Sequence, residues 1–180
     1  MAAVTDGEAS HPGSAAHTPA SLAALRRTET TEALSRLRLA GSAVHRLGQP
    51  DGGIDEDEVC SRLTALLSPG RWCLATWRED GHPDHETVGR AAARACAATA
   101  ARLLEYPIWM WHWARPGDAA VPWERARCID LTPAAVAAKA AAIAAFPSQI
   151  APLGPEPADA AILPPNVLDH FTRAFETVFV

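Results

Sequence analysis

The sequence predicts an α/β fold with a mainly parallel sheet, and three observations lead there. Short runs of strand character alternate with helix-length segments, the order that sets parallel strands side by side with helices packed on them. The 180 residues suffice for one domain of ordinary size with its own core, residues 1–180, and hardly for two. Although 48% of the residues are apolar, 39 residues are alanine. The core must therefore rely on close helix packing around a few large anchors, among them six Trp.

Each element has its own signal. Ala2, Ala3 and Val4 precede a loop rich in Gly, Ser, Pro and His from Asp6 to Pro19. Thr18 or Ser21 caps a helix from about Leu22 to Leu39, in which Leu22, Leu25, Ala33 and Leu37 fall near helical spacing and Gly41 offers a stop. Ala43 to Leu47 is a short strand candidate ahead of a turn-rich Gly48–Gly53. The acidic run Asp55 to Glu58 opens a helix ending near Leu67, where anionic side chains suit the positive helix start. Arg71 to Trp77 reads as a buried strand, and His85 to Leu104 as the longest helix. Pro107 to Trp113 alternates Ile108, Met110 and His112 with Trp109, Trp111 and Trp113, which is strand periodicity. Cys128 to Leu131 is another strand, Thr132 and Pro133 start a helix to Phe146, and a Pro-rich loop leads to Phe175–Val180.

Composition excludes several functions. With 16 basic and 21 acidic side chains the formal charge is −5, and the fifteen Arg and single Lys are dispersed, which argues against nucleic acid and against a polybasic membrane patch. The start MAAVTDGEAS lacks the charged and apolar regions of a secretory signal. Ala134 to Phe146 is too short to span a bilayer. Cys60, Cys73, Cys96 and Cys128 form no CxxC pair and read as buried thiols in a reducing cytoplasm.

Chemistry concentrates in Gly81-His82-Pro83-Asp84-His85-Glu86-Thr87-Val88-Gly89, between a strand and a long helix. Two imidazoles and a carboxylate within four residues can supply a metal ligand, an acceptor that orients it and a proton donor. Pro83 keeps His82 out of helical geometry. Asp84 also fits as the N-cap of the helix that follows.

The order of motifs resembles the LmbE-like, or PIG-L, family of zinc-dependent N-deacetylases, which act on N-acetylglucosamine-type sugars. The matching pieces are Thr5-Asp6-Gly7-Glu8, Arg26 with Glu29 and Ala33, Leu47-Gly48 with Pro50-Asp51-Gly52, His82-Pro83-Asp84-His85 with Val88-Gly89, and Lys139 followed by Ser148-Gln149. The resemblance implies a Rossmann-like three-layer α/β/α domain. It implies a zinc ligand in His85, an oxyanion partner and amine-protonating group in His82 oriented by Asp84, and sugar contacts from Glu8, Arg26 and Asp51. Each has a structural alternative: Glu8 closing a loop, Arg26 and Glu29 pairing on one helix face, Asp51 serving a turn. The Trp-rich stretch is either core or a sugar-stacking platform, with core favoured. His112, on the face opposite the Trp side chains, either approaches the metal pocket or is a satisfied structural histidine, with the latter favoured.

The chain departs from the family at one point. The family's other metal motif, His-Pro-Asp-Asp after its first strand, supplies two further zinc ligands and the general-base Asp, and nothing here matches it. His11-Pro12 is followed by Gly13-Ser14. The first βα unit therefore reads as missing, and zinc is expected to bind weakly or not at all, because a catalytic zinc needs about three protein ligands. The expected function is removal of an N-acetyl group from an amino-sugar conjugate by a cytoplasmic enzyme. The alternative is a non-catalytic remnant that binds a sugar or a partner, and a start site placed too far downstream is a third reading. An unpaired strand next to the missing unit would favour homo-oligomers.

Overall fold

Side chains that take up free backbone amides set the long helices. A computed structural model describes residues 1–180. Thr18 accepts from Ser21 N–H and Pro19 occupies the first turn of α1 (Pro19–Arg36). Asp55 accepts from the amides of Asp57 and Glu58 at the start of α2 (Glu56–Leu66). His82 takes this position for α3 (Pro83–Thr99), and Thr132 accepts from Ala135 N–H ahead of α5 (Pro133–Ile143). A pyrrolidine nitrogen in the first turn costs nothing, since that amide has no helical partner. The four-residue α4 (Met110–Trp113) and α6 (Pro147–Ile150) and the seven-residue α7 (Pro165–Phe171) are short.

The chain forms two units: Met1 with Ala3–Asp51 and Asp130–Ala174, and Ala2 with Gly52–Ile129 and Phe175–Val180. Strand β1 (Ala2–Ala3) pairs with β2 (His45–Arg46); His45 N–H donates to Met1 O and Leu47 N–H to Ala3 O, so both run in the same direction. In the first unit, helix α1 packs on α5 and α6, burying Leu22, Ala33 and Ala142. A polar tie reinforces this apolar contact: the buried Glu29 carboxylate accepts from Ser148 N–H at 2.9 Å and Ser148 Oγ–H at 2.5 Å.

The second unit holds a four-stranded sheet in the order β3 (Trp72–Thr76), β4 (Arg102–Tyr106), β6 (Phe175–Phe179), β5 (Ala126–Asp130). Strands β3 and β4 are parallel, with Leu74 opposite Leu104, and β6 is antiparallel to β4. Helix α3 lies on β3 and β4 and α2 on α3. Trp77, Met110, Val121 and Phe179 form the core cluster, with the Trp77 and Phe179 rings 4.7 Å apart. Glu105, 1% exposed, accepts a two-pronged contact from Arg78 at 2.7 and 2.8 Å. No helix is long and apolar enough to cross a membrane.

Four sequence expectations need correction. Of the four thiols expected to be buried, only Cys96 is; Cys60 and Cys73 are half-buried and Cys128 is exposed. The helix after His85 ends at Thr99, because Ala100 adopts φ 56° and turns the chain, and Arg102–Tyr106 becomes the strand. The Trp-rich stretch is not a strand. Pro107 follows Tyr106 without a donor for the ladder, and the amides of Ile108, Trp109 and Met110 turn instead onto the Asp80 carboxylate, starting α4. Finally, β3 is buried on one side only. Ala75 is buried on the α3 side, whereas Trp72 and Leu74 are 56% and 61% exposed on an edge strand.

Candidate active site

The polar side chains singled out in the sequence fall into two groups, one in each unit. In the first unit, Glu8 and Asp51 lock two loops reciprocally: Glu8 Oε1 accepts from Asp51 N–H at 3.0 Å and Asp51 Oδ2 from Ala9 N–H at 2.8 Å. Arg26, 8% exposed, donates through Nη2 to Ser10 Oγ at 3.1 Å, and its Nε lies 3.7 Å from Glu29. Burial lowers the Arg26 pKa, against the pull of the Glu29 and Asp51 charges. A cavity of about 210 Å³ opens beside it, lined by Asp6, Gly7, Arg26, Thr30, Arg46 and Gln149. Asp6 bridges Arg27 and Arg46. His11 is buried and engaged at both nitrogens, Nδ1 with Ser10 Oγ and Nε2 with Ala160 O.

The second group lies at the start of α3. His82 is extended, at φ −114° and ψ 125°, and its Nδ1 accepts from Asp84 N–H at 3.2 Å. That bond makes His82, and not Asp84, the cap of α3. The Asp84 carboxylate is spent on another backbone donor, Gly52 N–H at 2.8 Å. With Nδ1 accepting, a neutral His82 carries its proton on Nε2. Burial and the neighbouring His85 lower the His82 pKa, which favours that neutral form. The two imidazoles stack with centroids 4.5 Å apart, and the Trp109 ring meets His82 edge-on at 5.2 Å.

His85 leads to a residue that the sequence reading did not single out. Its Nδ1 lies 2.6 Å from Asp80 Oδ2. Asp80 is fully buried and also accepts from Ile108, Trp109 and Met110 N–H, at 3.0, 2.7 and 2.9 Å. Burial alone would raise its pKa, but the bonds from His85, Met110 and Trp109 outweigh burial and lower it. The Asp80 carbonyl accepts from Trp113 Nε1, and a Cβ on Gly81 would stand 2.6 Å from that nitrogen, so only glycine fits there, at φ +86°. No local pattern announces Asp80: it is five residues from His85 and 28 to 30 from its backbone donors. Trp109 stacks on His112 at 4.1 Å, and His112 Nε2 is buried without a partner, against the expectation of a satisfied histidine.

A catalytic zinc needs three protein ligands and an open position. No group of three or more His, Cys, Asp and Glu side chains is arranged to hold a metal. The residues present therefore do not fit a zinc by themselves. What the α3 start offers is a pair of stacked imidazoles, one with a carboxylate behind it.

Comparison with known proteins bears on the family and the fold. No curated protein is significantly similar to the chain. The crystal structure of the conserved protein TT1542 from Thermus thermophilus matches with a TM-score of 0.53 at 22% identity, over 80% of this chain and 63% of that one, and so shows the same fold. The chain thus spans less than two thirds of the length of that relative. A family described as PIG-L, GlcNAc-PI de-N-acetylase, matches residues 1–96, a stretch that includes Glu8, Arg26, Asp51 and the whole His82–His85 motif. With more than half of its length matched, the chain belongs to the PIG-L family.

Proposed function

We propose that this chain serves hydrolysis of the N-acetyl amide of an amino-sugar conjugate, with His82 as the group that faces the acyl oxygen and the departing amine. The observation that carries the reading is the His82 hydrogen bond. Its Nδ1 is occupied by Asp84 N–H, so the Nε2 proton is the one left to donate. A fixed donor at a developing oxyanion is worth about 10²–10³ in rate. For the first unit, taken by itself, Glu8, Arg26 and Asp51 are proposed as sugar-hydroxyl contacts, with Arg26 at that unit's cavity. Family membership supports amide hydrolysis. The sugar class and the cytoplasmic setting, which the four free cysteines favour, rest on this reading. Zinc would supply an activated water in such a site, but the ligands for it are not among these residues.

That last observation favours a second reading, a sugar-binding module without turnover. One experiment separates the two. Binding of an N-acetylglucosamine conjugate is followed by titration calorimetry and amine release by fluorescence, for the chain as it stands and for a version extended upstream of Met1 with a strand carrying His-Pro-Asp-Asp. Hydrolysis by the extended chain that falls about 10²–10³-fold in His82→Ala supports the first reading. Binding that Arg26→Ala abolishes, with no amine released by either form, supports the second. Absence of both refutes the two together.

A further inference from the structure

We propose that Asp80 is a positioning residue that fixes the tautomer of His85, so that His85 presents the lone pair of Nε2 outward. This deepens the proposed function and rests on it for its purpose, though not for its test. Asp80 is fully buried, and each of its oxygens is claimed by donors: Oδ1 by Ile108 N–H and Met110 N–H, Oδ2 by Trp109 N–H and the His85 ring. Three of the four partners are backbone amides that can only donate. Three donated backbone N–H bonds favour the charged form of the carboxylate, which then can only accept from the His85 ring. His85 Nδ1 must then carry the ring proton, which leaves Nε2 as an acceptor.

His82 has the opposite arrangement, with Nδ1 accepting from Asp84 N–H and the proton on Nε2. Two rings 4.5 Å apart are thus set to opposite polarity by different parts of the chain. His82 is set by the first turn of α3, and His85 by the start of α4 acting through Asp80. A reacting amide needs both characters side by side: a donor for its oxygen and an electron pair for a water or an ion.

The same contacts state what Asp80→Asn does. The amide oxygen in the Oδ1 position keeps the Ile108 and Met110 bonds. The amide nitrogen in the Oδ2 position opposes Trp109 N–H and donates to His85 Nδ1. The His85 proton must then move to Nε2, and the outward lone pair is lost.

The test uses the chain as it exists, uniformly ¹⁵N-labelled, at about pH 9, where imidazoles of ordinary pKa are neutral. Long-range ¹H–¹⁵N correlation spectra assign the proton of each ring. The proposal expects Nδ1–H for His85 and Nε2–H for His82 in the wild-type chain, and Nε2–H for both in Asp80→Asn with its amide spectrum otherwise folded. A wild-type His85 protonated on Nε2 overturns it without any variant, so a variant that fails to fold does not shelter it. A folded Asp80→Asn with an unchanged His85 tautomer overturns it as well. Failure of hydrolysis with the tautomers as expected would refute only the proposed function, and hydrolysis with the wrong tautomers only this inference.

Discussion

Gly89→Ala pits local propensity against packing, and the two predict opposite signs. In a helix interior alanine is about 1 kcal/mol more favourable than glycine, so propensity alone makes the variant more stable. Gly89 lies on α3 one turn beyond His85, where the helix meets the end of β3. A Cβ there would stand 2.6 Å from Thr76 O and 2.8 Å from both N and Cα of Arg78. All three are backbone atoms that no rotamer change can move aside. The start of α3 would have to retreat by roughly 0.5 Å or more to restore ordinary contacts. Overpacking of this kind costs about 1–3 kcal/mol, and contact with backbone places it at the upper end. Set against the gain in propensity, the net loss is about 2 kcal/mol. For a chain of this size that lowers the melting temperature by about 4–8 °C. Urea denaturation should show a lower midpoint at unchanged slope. Ala97→Gly, at an exposed site on the same helix, reports propensity alone and should lose about 1 kcal/mol. A Gly89→Ala chain that melts at or above the wild-type temperature would refute the steric argument.

Two further outcomes follow from buried polar groups. Ser148→Ala removes the hydroxyl that donates to Glu29 Oε2 and leaves that buried oxygen with Arg26 Nε at 3.7 Å, which should cost about 1–3 kcal/mol in urea denaturation. Burial holds the His112 imidazole below its ordinary pKa. The folded chain therefore binds that proton less readily than the unfolded one, so the stability linked to His112 is complete above about pH 6.5 and is lost as pH falls through the folded value. Melting temperature should drop between about pH 7 and pH 5, and His112→Phe, which keeps an aromatic ring against Trp109, should flatten that slope.

The parts of the fold legible in the sequence are those decided within a few residues. Asp55 with its acidic run and Thr132-Pro133 each state a helix start in two or three letters and are found in place, and of Thr18 and Ser21 it is Thr18 that caps α1, which begins at Pro19 rather than near Leu22. The parts that misled are those decided by a distant partner. Trp109, Trp111 and Trp113 alternate as in a strand, but the amides that open this stretch are claimed from 28 to 30 residues away by Asp80. Leu103 and Leu104 extend a helical pattern, yet Ala100 turns the chain and Arg102–Tyr106 pairs with Trp72–Thr76 in register. The candidate site divides in the same way. His82 to His85 stands out because two imidazoles and a carboxylate crowd one helix start. Asp80 does not, because its meaning lies in the amides of Ile108, Trp109 and Met110.

That division bears on how the His82-Pro83-Asp84-His85 segment should be read. Capping turn and reactive site look like rival accounts of one tetrapeptide, and the geometry makes them one account. His82 caps α3 by accepting at Nδ1, and for that reason holds its proton on Nε2. Pro83 occupies the first turn, where its missing N–H is harmless, and keeps His82 extended. Asp84 gives its amide to His82 and its carboxylate to Gly52 N–H, which anchors the segment from the other side. His85, already inside the helix, has its ring fixed by Asp80 rather than by solvent, although it is 25% exposed. Each residue does a backbone task that also restricts what its side chain can present. A cap built from Ser or Asp would start the helix as well, but would leave no imidazole proton aimed outward. The choice of histidine at a capping position, followed three residues later by a second histidine with a buried carboxylate behind it, is what helix formation alone does not explain.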